Sequence, residues 1–432
     1  MEIEELYEIY RQHPVITTDS RDCPEGSIFL ALKGESFDGN KFAASALDKG
    51  CAYAVVDEAE YADTSDKRYI LVEDCLATFK ALARHHRRQF DIPVIGITGT
   101  NGKTTTKELV AAVLGEKYNV LFTQGNFNND VGVPKTLFRL SPEHDIAVVE
   151  MGASHPGDIK TLVETVEPAY GIITNVGKAH LQGFGSFEGV VRTKGELYDY
   201  LRNNPSSKVF IDAGNEHLMR IADGLHLIKY GVGEQDGLNV RGEVVECAPF
   251  LHFRWTDGDS WYDVTTHLIG SYNIYNMLAA ATIGLHFGVT PQAICHALSS
   301  YEPSNNRSQL TETAHNHLIV DAYNANPTSM AAALRNFRDM QVSPKMAILG
   351  DMRELGESSA EEHQKVVDFL AEAHLDNTWL VGEAFGNTTT SLRKFADIEE
   401  VKAAIAAVQP KGYYILIKGS NGIKLYQLPE TL

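Results

Sequence analysis

The stretch Val94–Val110, VIGITGTNGKTTTKELV, restricts the fold more than any other part of this chain. It opens as a buried apolar strand and ends as a helix, with a short glycine-containing loop between. That order belongs to parallel α/β sheets, and the loop is of the kind that holds phosphate. The usual phosphate loop reads G-x-x-x-x-G-K-[ST]; over Gly96–Thr105 the first glycine sits one place early. The physics survives that change. Gly99 and Gly102 let backbone N–H groups approach phosphates, with Thr100, Asn101 and Thr105 completing the loop, and the helix from Thr104 presents its positive end. Lys103 can reach β- and γ-phosphates, and the Thr104 hydroxyl can ligate Mg²⁺. The segment predicts nucleotide binding.

A chain of 432 residues is too long for one core, and its texture changes twice. Residues 1–91 carry short β-like runs (SIFLAL, CAYAVV, RYILV) and close on a helical stretch, ATFKALARHHRRQF. Across 92–303, apolar runs (PVIGIT, DIAVVE, GIITNV, KVFID) alternate with helices, which predicts a parallel sheet covered on both faces. A β-rich insert spans 238–269, and SSYEPSNNRSQ (299–309) reads as a linker. Over 304–432 a second, smaller alternation follows: HLIVDAYNANP, KMAILGD, NTWLVGE and YYILIKGS. The expected class is therefore α/β in three domains, the central one a phosphate-loop parallel sheet.

Charge sharpens the picture. A formal net charge of −19 disfavours nonspecific binding to nucleic acid or anionic lipid, so any phosphate must be held by local donors and metal ions. No apolar run reaches the roughly 20 residues needed to span a bilayer. The acidic start MEIEELYEIYRQHP lacks the features of a signal peptide. Five cysteines without a CxxC pair fit a reducing compartment and argue against a structural zinc site. A cytoplasmic monomer is the expectation.

Other strand ends carry polar groups. Glu150 ends DIAVVE, where a carboxylate beside a phosphate loop suits Mg²⁺ or caps a turn. His180 lies in a loop after GIITNV, and Lys194 on a helix where a solvated lysine is the ordinary reading. Asn273 and Asn276 share one face at the start of a helix, where two amides can read a purine edge or act as caps. Arg307 sits in the linker, placed to bridge phosphates. Asp321, Asp351, Lys418 and Ser420 end three strands of the last unit, and three polar strand ends on one edge predict a cleft.

Taken together, these motifs resemble the Mur ligases over essentially the whole length. GTNGKTTT, EMGASHPGDI, NVGKAHLQGFGS, KGE, NIYNMLAA, DAYNANP, LGDMRELG and KGSNG stand in family order. TQGNFNNDVGVPKTLFRL (123–140) resembles the branch that adds D-alanyl-D-alanine rather than one amino acid. Tyr272, where relatives often have histidine, and Asn306, where glycine is common, depart from the pattern. The resemblance implies an N-terminal uridine-nucleotide-binding domain, a central ATPase domain and a C-terminal Rossmann-like domain. It implies an ADP-forming ligase with D-alanyl-D-alanine and UDP-N-acetylmuramoyl-tripeptide as substrates, in peptidoglycan precursor synthesis.

For individual residues it implies that Lys103, Thr104, Asn273, Asn276, Arg307 and Asp321 hold ATP, and that Thr104 and Glu150 hold one Mg²⁺. His180 would help hold a second Mg²⁺ together with Lys194 carried as a carbamate, and Lys103, His180 and Lys194 would be catalytic. Ser20, Arg21 and the stretch from Lys33 to Asn40 would receive the uridine nucleotide. Asn126, Asn128, Asn129, Tyr323, Asn324 and Asn326 would face substrate. Two other readings share the phosphate loop: a folylpolyglutamate-type ligase, and a switch that hydrolyses ATP without forming a bond. NFNND and the first domain weigh against the former.

Overall fold

The computed structural model describes residues 1–34, 36–303 and 309–432. Asn306 and Arg307 lie outside the described residues. Each of the three regions is built on its own sheet.

The first holds four short parallel strands in the order Ile16–Thr17, Ile28–Leu30, Tyr53–Val56, Tyr69–Leu71. Ile28–Leu30 is buried throughout, as expected of a strand covered on both faces. Helix Ile3–Gln12 packs on helix Cys75–Arg87, which Asp74 caps by accepting from the Ala77 N–H. His86 joins this unit to the next: one ring nitrogen meets Tyr7 Oη at 3.0 Å, the other the Leu140 carbonyl at 3.1 Å.

The central sheet has nine strands. From one edge they run Trp261–Ile269, Phe250–Thr256, Val240–Cys247, His226–Val232, Lys208–Asp212, Tyr170–Ile173, Val94–Thr98, Ile146–Glu150, Val120–Phe122. The last seven are parallel, and Phe250–Thr256 pairs antiparallel with both of its neighbours. The β-rich segment is thus no separate insert but an extension of this sheet. Two of its strands escape a search for apolar runs. Val120–Phe122 is a three-residue edge strand, and His226–Val232 (HLIKYGV) carries His and Lys on a partly exposed face. Helices Lys103–Gly115 and Ile274–His286 pack together over one face, sealed by Val110, Val113, Met277 and Ile283. A Cβ at Gly284 would stand 2.4 Å from Val113, so the close crossing of these helices requires glycine there.

The C-terminal sheet has six strands in the order Gln309–Glu312, His317–Asp321, Tyr414–Lys418, Lys345–Gly350, Thr378–Val381, Arg393–Phe395. All but the first are parallel. Tyr414–Lys418 pairs with both His317–Asp321 and Lys345–Gly350, so the chain reverses its direction of winding at that strand. Ligands bind outside the carboxyl ends of strands at such points.

Candidate active site

The carboxyl ends of the central and C-terminal sheets face a common cavity of about 780 Å³. Its walls carry the phosphate loop from Thr100 to Thr105, Glu150, His180, Asn273 and Asn276 from the central unit, and Asp321, Tyr323, Asn324 and Lys418 from the last.

The phosphate loop is held open by its neighbours. Gly102 has φ +77° and begins helix Lys103–Gly115; Gly99 has φ +142°, where a Cβ would stand 2.0 Å from Thr174 Oγ1. Such backbone geometry favours glycine. Thr174 and Asn175, just past strand Tyr170–Ile173, pin the loop: Thr174 Oγ1 donates to the Asn101 carbonyl at 2.6 Å, and Asn175 Oδ1 accepts from the Asn101 N–H at 3.0 Å. Lys103 Nζ donates to the carbonyls of Gly99 and Thr100 at 2.8 and 3.1 Å. The ammonium is therefore parked on the loop that a phosphate would occupy.

Glu150 is 1% exposed. Its Oε1 accepts from Thr104 Oγ1 at 3.2 Å and Asn128 Nδ2 at 2.8 Å, while Oε2 is buried without a hydrogen-bond partner. An orphaned carboxylate oxygen beside a hydroxyl at a phosphate loop is the donor set Mg²⁺ takes when phosphates complete its shell. The described residues gather no group of three His, Cys, Asp or Glu side chains for a metal, so the remaining ligands must come from phosphate, water or other groups. Asn126, Asn128 and Asn129 line the same wall. Lys107, fully buried, fixes their loop by donating to the Gly125 carbonyl at 3.2 Å.

Lys194 is buried on helix Phe187–Arg202, its ammonium 5.5 Å from the centre of the Phe184 ring. Burial, then the positive charge of Lys103, push this amine well below the ordinary lysine value. The solvated-lysine reading is thereby excluded. Two residues on, Glu196 accepts from the N–H groups of Gly157 and Lys160 at 2.8 and 2.7 Å and so caps helix Asp158–Val166. His180 takes a left-handed conformation (φ +50°) that points its ring to Glu354 of the C-terminal unit. Burial lowers its imidazole below the ordinary histidine value, against the upward pull of Glu354.

Three contacts close the last unit over the cavity. Asn101 and Asn326 exchange amide hydrogen bonds, the shorter at 2.7 Å from Asn326 Nδ2. Lys178 Nζ reaches Glu362 at 2.8 Å, and the Lys178 N–H donates to Thr328 Oγ1 at 3.1 Å. His180 and Glu354 form the third.

Several residues do work other than that expected of them. Asn40 is 1% exposed; its amide donates to Asp38 and Asp57, and its oxygen accepts from the Asp57 and Glu58 N–H groups. It ties its own loop together, its side-chain hydrogen bonds all made within the first unit. Asn326 caps helix Pro327–Asp339 through the Ser329 N–H and holds the phosphate loop instead of projecting into the cavity. Asn273 and Asn276 line the cavity while bonded to each other, with Thr106 Oγ1 donating to Asn276 Oδ1 at 3.1 Å. Asp321 and Lys418 form an ion pair of 2.5 Å in the cavity wall. Asp351 departs from the expected row of three strand ends: both its oxygens cap the short helix Glu383–Gly386.

In the first unit Ser20, Arg21 and Lys33 lie outside the cavity. Arg21 pairs with Asp19 at 2.7 Å, Lys33 with Asp57 and Glu58 at 2.9 and 2.8 Å, and Ser20 accepts from Lys49 Nζ through its carbonyl. The expected role of Arg307 falls outside the described residues. Thr174, Asn175 and Asp212 also line the cavity and were not singled out; each sits at or just past the end of a central strand, the one signal that could have found them.

A phosphate loop, a buried carboxylate on the neighbouring strand and a second α/β unit closed over both define a nucleotide-dependent enzyme working at an interdomain cleft. Family models match three consecutive parts: the Mur ligase family catalytic domain over 14–87, the Mur ligase middle domain over 97–284, and the Mur ligase glutamate ligase domain over 306–421. The UDP-N-acetylmuramoyl-tripeptide–D-alanyl-D-alanine ligases of Bacillus subtilis and Escherichia coli are 32% and 33% identical, each over 96% of this chain, with 92% and 93% of their own lengths covered. The chain belongs to the Mur ligase family. Among solved structures, MurF from Acinetobacter baumannii superposes with a TM-score of 0.87 at 32% identity, over 96% of this chain and 92% of that one. The MurF ligase from Thermotoga maritima in complex with ADP gives 0.87 at 26% identity, over 96% of each.

Proposed function

We propose that this chain is an ADP-forming ligase that joins D-alanyl-D-alanine to UDP-N-acetylmuramoyl-tripeptide, a step of peptidoglycan precursor assembly in the cytoplasm. The observation that carries the reading is the single cavity in which the phosphate loop, the orphaned Glu150 oxygen and the Asp321–Lys418 strand ends meet. The named activity of the relatives aligned along nearly the whole chain supports the choice of substrates. A folylpolyglutamate synthase from Mycobacterium tuberculosis, at 15% identity, shares the fold alone.

A carboxylate resists attack by an amine because its oxygen leaves poorly. The γ-phosphoryl of ATP is transferred to the tripeptide's terminal carboxylate oxygen, releasing ADP. The dipeptide's free amine then attacks the acyl carbon, the C–O bond to phosphate breaks, and the amine proton is lost to a base. Lys103, released from the Gly99 and Thr100 carbonyls, moves onto the phosphates and screens their repulsion from the incoming carboxylate. Thr104 and Glu150 would hold Mg²⁺, which supplies charge neutralisation for the transferring phosphoryl group. Asn128 orients Glu150 through its 2.8 Å hydrogen bond. Water would destroy the acyl phosphate, and the contacts of Asn326, Glu362 and Glu354 keep the last unit over the cavity to exclude it.

As an ammonium, Lys194 cannot ligate a metal. Its lowered basicity favours the neutral amine, the form that adds CO₂ and loses a proton to give a carbamate, which with His180 would hold a second Mg²⁺. Ser20, Arg21 and Lys33 would receive the uridine nucleotide.

The test is oxygen-18 transfer. Label in the tripeptide carboxylate should appear in released phosphate, and sustained phosphate release should require both the acyl and the amine substrate. AMP formation, or steady ADP release in the absence of the acyl substrate, would sink the reading. Lys103→Ala should abolish turnover, and short carboxylic acids should restore part of the activity lost in Lys194→Ala.

A further inference from the structure

Asp212 ends strand Lys208–Asp212, is 9% exposed and lines the cavity. No family motif quoted above includes it. In the sheet its strand is separated from the one ending in Glu150 by Tyr170–Ile173 and Val94–Thr98. The two carboxylates therefore stand three strand spacings apart on the same edge, about 14 Å. The phosphate loop and Asn175 lie between them. An extended nucleoside triphosphate whose terminal phosphate rests by Thr104 and Glu150 covers that span, and its base then arrives at Asp212.

Tyr272, Asn273, Tyr275 and Asn276, at the start of helix Ile274–His286, line the same cavity, and Tyr275 lies close enough to Asp212 to feel its charge. The two amides are already engaged. Asn273 Nδ2 donates to the Ile269 carbonyl at 2.8 Å, Asn276 Nδ2 to Asn273 Oδ1 at 2.9 Å, and Asn276 Oδ1 accepts from Thr106. Asp321, the other carboxylate facing the C-terminal side, is taken by Lys418 at 2.5 Å. Asp212 differs from both. Its Oδ1 accepts the Gly214 N–H at 3.0 Å, and no ion pair found among the described residues includes it. Ionised, it is an acceptor-only group, and burial lifts its carboxyl above the ordinary value, as expected where no cation balances it.

We propose that Asp212 is a specificity determinant for the nucleotide base, accepting a hydrogen bond from the exocyclic amine of adenine and opposing the carbonyl oxygen that hypoxanthine and guanine carry at the same position. A site built to pair a donor leaves its acceptor unsatisfied, or facing a lone pair, when the wrong base enters. The inference rests on the proposed ATP-dependent ligation only for the direction in which the nucleotide lies.

The experiment compares ADP with IDP by calorimetry, and ATP with ITP and with purine riboside triphosphate in amide formation, for the wild type and Asp212→Asn. Asparagine keeps an oxygen for Gly214 while offering N–H donors to a carbonyl. The wild type should prefer ADP over IDP by about tenfold or more. Asp212→Asn should narrow that ratio by about tenfold, with unchanged KM for the acyl substrate and an unchanged melting temperature. An unaltered ADP/IDP ratio in a folded Asp212→Asn overturns the proposal. So does equal wild-type KM for ATP and for purine riboside triphosphate, which lacks the amine; that arm needs no variant to fold. Failure of amide formation with intact ADP/IDP selectivity would instead count against the ligase reading and leave Asp212 in place.

Discussion

Asn326 offers a perturbation whose two effects can be separated. Its oxygen caps helix Pro327–Asp339 by accepting from the Ser329 N–H at 2.9 Å, and its amide nitrogen reaches Asn101 of the phosphate loop at 2.7 Å. Removing a cap of this kind costs about 1 kcal/mol. Losing a neutral hydrogen bond across a boundary costs about 1 kcal/mol more. Asn326→Ala loses both. Asn326→Ser keeps an oxygen for Ser329 but is too short to reach Asn101. The C-terminal unit of the alanine variant should therefore melt about 4 °C below that of the serine variant, which loses only the boundary hydrogen bond. Both variants should weaken closure of the last unit by about 1 kcal/mol, read as a KM for ATP raised about fivefold. Small-angle scattering should show a larger radius of gyration for both. If Asn326→Ser matched the wild type in KM and in size, the amide pair would have no part in closure. If the two variants melted together, the cap would not be worth what its geometry suggests.

Gly102→Ala places a Cβ 2.7 Å from Asn276 Oδ1 at φ +77°. That conformation alone costs about 1–2 kcal/mol, so ADP affinity by calorimetry should fall about tenfold or more, and wild-type affinity would refute the account of the loop. Burial holds His86 below the ordinary histidine value. The unfolded chain then binds the extra proton first, so stability is full above about pH 6.5 and is lost as pH falls from there toward the lower folded value. His86→Gln should flatten the dependence of the urea midpoint between about pH 7 and 5; an unchanged slope would assign the acid sensitivity elsewhere. Glu150→Gln removes the anionic ligand while keeping an oxygen for Thr104 and Asn128. The Mg²⁺ concentration giving half-maximal ADP formation should rise about tenfold or more, and an unchanged titration would dissociate Glu150 from the metal.

What the sequence made legible follows from where its signals are local. Val94–Val110 carries strand, loop and helix within one stretch, and both the α/β class and the phosphate site could be read from it. Lys194 could not: a lysine buried by Phe184 and its neighbours has the same letters as one in water, and only the packing of helix Phe187–Arg202 distinguishes them. Asp351 is the opposite case. A polar strand end suggests a ligand, yet Asp351 spends both its oxygens on the helix at Glu383. Strand His226–Val232 stayed hidden because Lys and His interrupt its apolar pattern, while its neighbours in the sheet supply the pairing that fixes it.

The walls of the cavity begin at Thr100; the first sheet, with Ser20, Arg21 and Lys33, contributes nothing to them. On the proposed reading, the nucleotide end of the precursor is gripped by one unit while its reacting carboxylate must arrive between the other two. The precursor's own peptide then acts as a ruler. On that reading a stem of another length would present its acid at a different depth relative to Lys103 and Glu150, so reach would itself contribute to the choice of intermediate.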